Sequence, residues 1–361
     1  MRILRVINSL KTGGAERSIV SNVPVHMLNG YQMDVLLLNG EVTYFFNELQ
    51  QKGVTIYSLG SGNNIYNPLL IFKLLKYVCR YDIIHVHLFP SIYWVAIAKI
   101  LSFSRVKLVM TEHSTDNRRR HFAFFKNVDR FIYKNYQKII SISEATTINL
   151  DSYLKIRSKV ITIPNGIIIK DFQIKETTTK EKLLGICNDK KLIVQVAGFR
   201  KQKDQDTLIK ALTLLPECFN IAFVGEGERR TICENLAKEL GVFDRTKFCG
   251  NRNDIPMIMK VADFNVMSSH NEGFGRAAVE GMAAGKPTIA SNVPGLAEVV
   301  GGAGLLFEAG DSDTLAKLIL QLTNDAAFYG QVAERCKERA KQYDVKIMIE
   351  KYEQVYNTLI G

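Results

Sequence analysis

Two glutamates, Glu272 and Glu280, stand within the segment Ser268–Pro287, which reads SSHNEGFGRAAVEGMAAGKP. The apolar run Phe264–Met267 ends there in a polar turn with glycines, and small residues at helical spacing follow from about Arg276 to Ala284. Gly273 and Gly275 let backbone N–H groups approach a ligand closely where that helix starts, and the helix dipole favours an anion at the same point. A diphosphate fits such a place. Glu280 falls about one and a half turns into the helix. Its flanks, Ala277, Ala278, Val279 and Met282, make that face read as buried. A carboxylate there accepts two hydrogen bonds from a vicinal diol such as a ribose.

Strand-length apolar runs alternate with helical patterns around these residues. The first set is Ile3–Ile7, Asp34–Leu38, Thr55–Leu59, Ile83–Leu88, Lys107–Thr111, Lys138–Ser143 and Val160–Ile163, separated by amphipathic stretches such as Ala15–Leu28 and Leu69–Arg80. The pattern restarts with Ile193–Ala197, Ile221–Val224, Lys247–Cys249, Asn265–Ser268, Thr288–Ala290 and Gly304–Phe307. Uniformly apolar strands between helices predict parallel sheets covered on both faces. The expectation is α/β: two Rossmann-like domains whose strand ends face a central cleft, where ligands of this architecture bind. The first domain takes residues 1–166 and the second 167–344. Ile167–Lys191, with its polar run KETTTKEK, reads as the linker and the entry to the second sheet. The final helix, Val345–Ile360, is expected to pack back onto the first domain.

At 361 residues the chain suits two domains, and 47% hydrophobic with 23% charged residues is a normal globular balance. The six cysteines form no CxxC pair, which argues against a zinc site or disulfide framework and for a reducing compartment. The N-terminus shows no apolar leader, and the longest apolar stretch, near Ile92–Phe103, is too short to span a bilayer. All of the net charge of +11 lies in Met1–Asn165, with 21 Lys and Arg against 10 Asp and Glu; the remainder balances. That field favours an anionic partner on the N-terminal half.

The Glu-x7-Glu pattern in EGFGRAAVE resembles the retaining glycosyltransferases of the GT-B fold, in the group called family 4. Gly13–Gly14–Ala15–Glu16–Arg17 looks like that group's N-terminal glycine loop, and Ile163–Pro164–Asn165–Gly166–Ile167 like its interdomain signature. Gly198–Phe199–Arg200–Lys201–Gln202–Lys203 resembles its basic donor-phosphate loop; Val224–Gly225–Glu226–Gly227 and Phe248–Cys249–Gly250–Asn251 also match, in the same order. The resemblance implies a nucleotide diphosphate sugar as donor and no further cofactor. It places Glu280 on the ribose, Glu272 beside the donor sugar, and the backbone of Gly273, Phe274 and Gly275 on the sugar or phosphates. Lys203 neutralises the diphosphate, and Gly13 and Gly14 approach it from the first domain. Gly225, Glu226, Asn251 and Asn271 complete the donor-binding set. His113, at the end of the strand-like run Lys107–Thr111, contacts the transferred sugar and is paired with Glu272 as the catalytic set.

One departure concerns the basic loop. The group commonly carries Arg five residues before the loop lysine, where this chain has Gly198. Arg200, two positions on, shares a face with residue 198 on an extended segment and is the candidate replacement.

Other features weigh less. His85 and His87 share one strand face but lack a third ligand, so buried core histidines are the better account. The strings Asp204–Gln205–Asp206 and Asp311–Ser312–Asp313 stand where helices begin, so they read as N-caps, and no metal is expected. In Arg118–Lys138, Phe124, Val128, Phe131 and Ile132 fall at helical spacing and read as a core stripe, with the basic residues free to meet an anionic membrane surface. The implied setting is bacterial cell-surface polysaccharide or glycolipid assembly by a cytoplasmic enzyme, peripheral to the inner face of the plasma membrane, with a glycan or lipid-linked acceptor. The alternatives are a nucleotide-sugar epimerase on the same fold and a basic nucleic-acid-binding protein. The latter lacks a nucleic-acid module, and no GxGxxG follows the first strand to suggest an NAD enzyme.

Overall fold

The computed structural model describes residues 1–11, 13–114, 120, 122–174 and 178–361. The chain forms two compact units. Unit 1 comprises Met1–Gly166 with Val345–Gly361, and unit 2 comprises Ile167–Asp344.

Unit 1 carries seven strands: β1 (Arg2–Ile7), β2 (Gln32–Leu37), β3 (Thr55–Ser58), β4 (Ile83–His87), β5 (Lys107–Glu112), β6 (Lys138–Ser141) and β7 (Val160–Thr162). Unit 2 carries six: β8 (Lys191–Val196), β9 (Phe219–Val224), β10 (Thr246–Phe248), β11 (Phe264–Met267), β12 (Thr288–Ser291) and β13 (Leu305–Phe307). The sheet orders are β3-β2-β1-β4-β5-β6-β7 and β10-β9-β8-β11-β12-β13, and the pairings are parallel. Each order reverses beside its first strand, between β1 and β4 and between β8 and β11. In such sheets ligands bind beyond the carboxyl ends of the strands flanking that reversal. The GT-B expectation of two Rossmann-like domains with parallel sheets holds.

Helix starts follow side-chain chemistry. The side chains of Asp204 and Asp311 accept from the backbone N–H of Thr207 and Thr314, so both DxD strings begin helices as N-caps. Ile167–Lys191 is not a free linker. Ile169, Phe172, Leu184 and Ile186 are buried in unit 2, so this stretch belongs to that unit's core. Lys175, Glu176 and Thr177 of the KETTTKEK run lie outside the described residues.

The final helix, Val345–Ile360, packs on unit 1, burying Met348, Ile349, Tyr352, Val355 and Tyr356. It meets the most unusual side chain of the fold. Arg5, on β1, is 0% exposed. Its partners are His85 Nδ1, the Tyr356 hydroxyl and Asn22 Oδ1, and its Cζ lies 5.4 Å from the centroid of the Tyr352 ring. None of these is anionic, so lone pairs and one aromatic face solvate a buried guanidinium.

Tyr356→Phe keeps the ring and removes the oxygen that takes the guanidinium proton. Unit 1 should lose about 1–3 kcal/mol of stability, read as an earlier urea transition of the full chain. An unshifted transition would show that the hydroxyl is dispensable to the Arg5 site.

Candidate functional site

The loops leaving β8 and β11, the two strands at the reversal of the unit 2 sheet, are tied together. Gln195, buried on β8, donates from Nε2 to the Lys203 carbonyl (3.0 Å) and to Ser268 Oγ (3.1 Å). Ser268 in turn donates to the Asp204 carbonyl at 2.6 Å. Across this fastening Lys203 Nζ pairs with Glu272 Oε2, both groups mostly buried. The two charged residues assigned to different parts of a donor therefore neutralise one another here. Sequence reasoning passed over Gln195 and Ser268. Their signal was a polar residue within or just beyond an otherwise apolar strand.

The helix Arg276–Ala283 starts at Gly275, which stands in the left-handed region at φ 85° and gives no side-chain cap. The first-turn N–H groups are thus uncapped by any cap side chain, the arrangement that favours a bound anion. Glu280 is 9% exposed and accepts from Arg276 Nε at 2.9 Å. Phe274 is buried against Tyr343, which leaves its backbone rather than its ring for a ligand. Two further glycines position this region. A Cβ on Gly281 would overlap the Asn265 amide, which holds the helix by donating to the Ala277 carbonyl at 3.1 Å. A Cβ on Gly295 would overlap the backbone of Glu272 and Gly273.

At Gly198, a Cβ would stand 3.3 Å from the Glu226 carbonyl oxygen and 4.0 Å from Arg200 Nε. The Arg200 side chain thus runs beside the space that a side chain at position 198 would enter. Gly225, at φ 142°, donates its N–H to the Gly250 carbonyl at 2.8 Å, so the loops after β9 and β10 also meet. The Glu226 carboxylate pairs with Arg230. Asn251 and Asn271 are exposed on their loops.

In unit 1 the glycine loop has a carboxylate beside it. Gly13 is the N-cap of the helix Gly14–Leu28, without a side-chain cap, but the carboxylate of Glu16 overlies it. Thr12 lies outside the described residues. Beyond β5, His113 is partly exposed, and its Nε2 lies 2.9 Å from His87 Nδ1. The His87 ring stacks on that of His85 at 4.5 Å, and His85 Nε2 meets Thr111 Oγ1 at 2.7 Å. Burial and the Arg5 charge push His113 down to about 3 and hold His85 and His87 well below the usual histidine value. His26, 0% exposed, is likewise lowered to about 3, first by burial and then by Arg5. Its contact with Glu353 Oε1, 2.9 Å from Nδ1, is therefore a hydrogen bond from a neutral ring rather than an ion pair.

The aromatic stripe needs correction. Phe124 and Phe131 are 74% and 59% exposed. The helix Ala123–Lys134 instead buries Asp129, Ile132 and Tyr133, and only Val128 and Ile132 of the expected stripe turn towards the core. The buried Asp129 accepts from the hydroxyls of Tyr93 and Tyr153, which is why a charged position faces inward. Arg118, Arg119 and His121 lie outside the described residues. Among the described residues, no helix is long and apolar enough to cross a membrane.

Two family descriptions match nearly end to end: Glycosyltransferase Family 4 over residues 12–170, and Glycosyl transferases group 1 over residues 176–343. An uncharacterised glycosyltransferase of Methanocaldococcus jannaschii is 30% identical over 70% of this chain and 68% of its own. The N-acetyl-alpha-D-glucosaminyl L-malate synthase of Bacillus anthracis is 27% identical over 81% of this chain and 79% of its own. Among solved structures, Anabaena HepE in complex with UDP-glucose superimposes with a TM-score of 0.87 at 25% identity, covering 99% of this chain and 100% of that one. Other relatives are named for lipopolysaccharide core and capsular polysaccharide biosynthesis.

Two predictions arise from this geometry. Gly295→Ala should displace the Glu272–Gly273 backbone and lower the melting temperature of unit 2; an unchanged melting curve would mean that the loop yields freely. The second concerns acid. An unfolded chain protonates His26 below about pH 6.5, while the folded one resists until about 3. The groups around that ring are Arg5, Glu353, Tyr31, Tyr352 and Tyr356. The stability that neutral His26 contributes is whole above pH 6.5 and is lost as pH falls towards 3, by up to about 1.4 kcal/mol per pH unit. His85 and His87 act in the same direction. Urea midpoints should fall progressively from about pH 6.5 towards 3, and a flat profile would refute the neutral-ring assignment.

Proposed function

The chain belongs to the glycosyltransferases of the GT-B fold, and on that premise we propose that it moves a sugar from a nucleotide diphosphate sugar to a hydroxyl acceptor with retention of configuration and without a required metal. Unit 2 takes the donor. Glu280 accepts from the ribose hydroxyls, and the uncapped helix start at Gly275 receives the diphosphate. Glu272 holds the donor sugar, with the backbone of Gly273 and Phe274 beside it. Lys203 exchanges its partner, leaving the Glu272 carboxylate for the diphosphate. Arg200 supplies the guanidinium that the family carries at the position of Gly198. His113 of unit 1 contacts the transferred sugar.

The chemistry is a displacement at the anomeric carbon. The bond from that carbon to the diphosphate oxygen breaks, and a bond to the acceptor oxygen forms. The leaving phosphate oxygen, on the same face, takes the acceptor proton. The charge that builds on the diphosphate is met by Lys203, Arg200 and fixed amides, which are aligned before the reaction starts. The observation that carries this reading is the fastening of the β8 and β11 loops, which sets Lys203 and Glu272 against each other at the sheet reversal, with Glu280 buried on the helix that follows.

HepE, similar in fold and solved with UDP-glucose, makes a UDP-sugar the first donor to try. The acceptor belongs to unit 1, whose excess of positive charge suits a lipid-linked diphosphate or an anionic glycan. Exposed Phe122, Phe124 and Phe131, interleaved with exposed Lys126 and Arg130, suit the anionic inner face of a plasma membrane. The relatives named for capsule and lipopolysaccharide synthesis support that setting, and no relative named here supports the epimerase or nucleic-acid alternatives.

Thermal stabilisation by UDP-, GDP-, ADP- and dTDP-sugars identifies the donor, because a ligand of the native state raises its stability. Glu280→Ala and Lys203→Ala should each weaken that donor by roughly 10- to 150-fold, as expected for a lost charge-assisted hydrogen bond. Unchanged binding in Glu280→Ala would end the ribose assignment. Product made in EDTA and examined by proton NMR should keep the donor's anomeric configuration; inversion, or no product without added metal, would refute the mechanism.

A further inference from the structure

We infer that His87 is a positioning residue that fixes His113 as a neutral ring protonated on Nδ1, with its Nε2 occupied as an acceptor. The contact between His113 Nε2 and His87 Nδ1, 2.9 Å, has room for one proton. Two arrangements share it. If His113 Nε2–H donates, then Nδ1 of His87 is bare, and the neutral His87 ring must carry its proton on Nε2. Among the described residues, that nitrogen is buried without a partner. An orphaned N–H donor is then sealed in the core, among the rarer and costlier arrangements in folded proteins. If His87 Nδ1–H donates instead, the buried Nε2 presents only a lone pair, and His113 must carry its proton on Nδ1.

The surroundings favour the second arrangement. The His87 ring is stacked on His85, whose Nδ1 faces the Arg5 guanidinium. A cation at that distance prefers neighbouring lone pairs to neighbouring N–H groups. His85 follows the same logic: its Nδ1 accepts from Arg5 or Tyr356, so its proton sits on Nε2 and goes to Thr111 Oγ1 at 2.7 Å. A third proton on the His87–His113 pair would place a second charge beside Arg5 in the same interior.

The consequence is chemical. His113 meets its ligand as an Nδ1–H donor to a sugar hydroxyl or phosphate oxygen, and its basic nitrogen is already spent on His87. It orients and polarises, and it does not take up the acceptor proton. This rests on the proposal that His113 touches the transferred sugar, but the tautomer itself can be read without activity.

The full chain, labelled with 15N-histidine, gives ring nitrogen shifts that distinguish protonated from bare nitrogens. The His113 ring is identified as the one lost in His113→Gln. The inference expects a protonated Nδ1 and a bare Nε2 on His113 from about pH 6 to 8. In His87→Phe, which keeps a ring but no donor, the His113 signals should shift to mixed or Nε2-protonated values. With that change kcat should fall by at least about tenfold, while the KM for donor stays within about twofold. His87→Asn, whose amide N–H stands near the position of Nδ1–H, should restore both. A protonated Nε2 in the parent chain overturns the inference, whether or not the variants fold, as does a His113 spectrum unmoved by His87→Phe. If the tautomer is as inferred but His113→Gln keeps full activity, the sugar contact fails and the tautomer lock stands.

Discussion

A lysine and a glutamate that neutralise each other across two loops are the constraint on which the proposed donor region depends. Lys203 follows β8 and Glu272 follows β11, strands that neighbour each other only because the sheet order reverses there. The buried amide of Gln195 and the hydroxyl of Ser268 hold the two loops close enough for the pair to form. Either charge alone in this mostly buried position would carry a desolvation cost; together they wait as a neutral couple. The proposed donor, an anion with hydroxyl groups, would offer each partner a replacement hydrogen bond, so the couple could open without leaving either group unpartnered. Arg276 and Glu280 repeat the device one helical turn away.

The parallel sheets, the two units and the return of the last helix were legible because they depend on hydrophobic period and length. Glu272, Glu280 and Lys203 were legible as types at spacings, and Gly198 as a departure. What the sequence hid was partnership. Nothing in the string KQKD shows that its second lysine will be held by a glutamate nearly seventy positions on. Asp129 was hidden for the opposite reason. Helical spacing assigns the inner face by apolarity, and here two tyrosine hydroxyls make a carboxylate the better inner residue, which turns Phe124 and Phe131 outward.

Unit 1 adds a second electrostatic scheme to paired charges such as Arg120 and Glu112. It buries Arg5 among lone pairs and an aromatic face, and burial first, with that cation second, keeps His26, His85, His87 and His113 neutral. The His113 ring, beyond β5, is thus held neutral by burial and by an interior cation. Uncharged imidazoles are directional donors and acceptors, so burial of these rings converts into geometry.

The return of the last helix also sets an order of events at the ribosome. Unit 1 is written first, yet Arg5 and His85 do not meet the Tyr356 hydroxyl until the final stretch, Val345–Gly361, has been made. Unit 2, contained in one unbroken stretch, has all its strands earlier. The half synthesised first therefore finishes folding last, with a cationic and partly open core held in waiting while its successor closes. Truncated products that lack the C-terminus are then defective at the N-terminus, and quality control that senses exposed core would find them there.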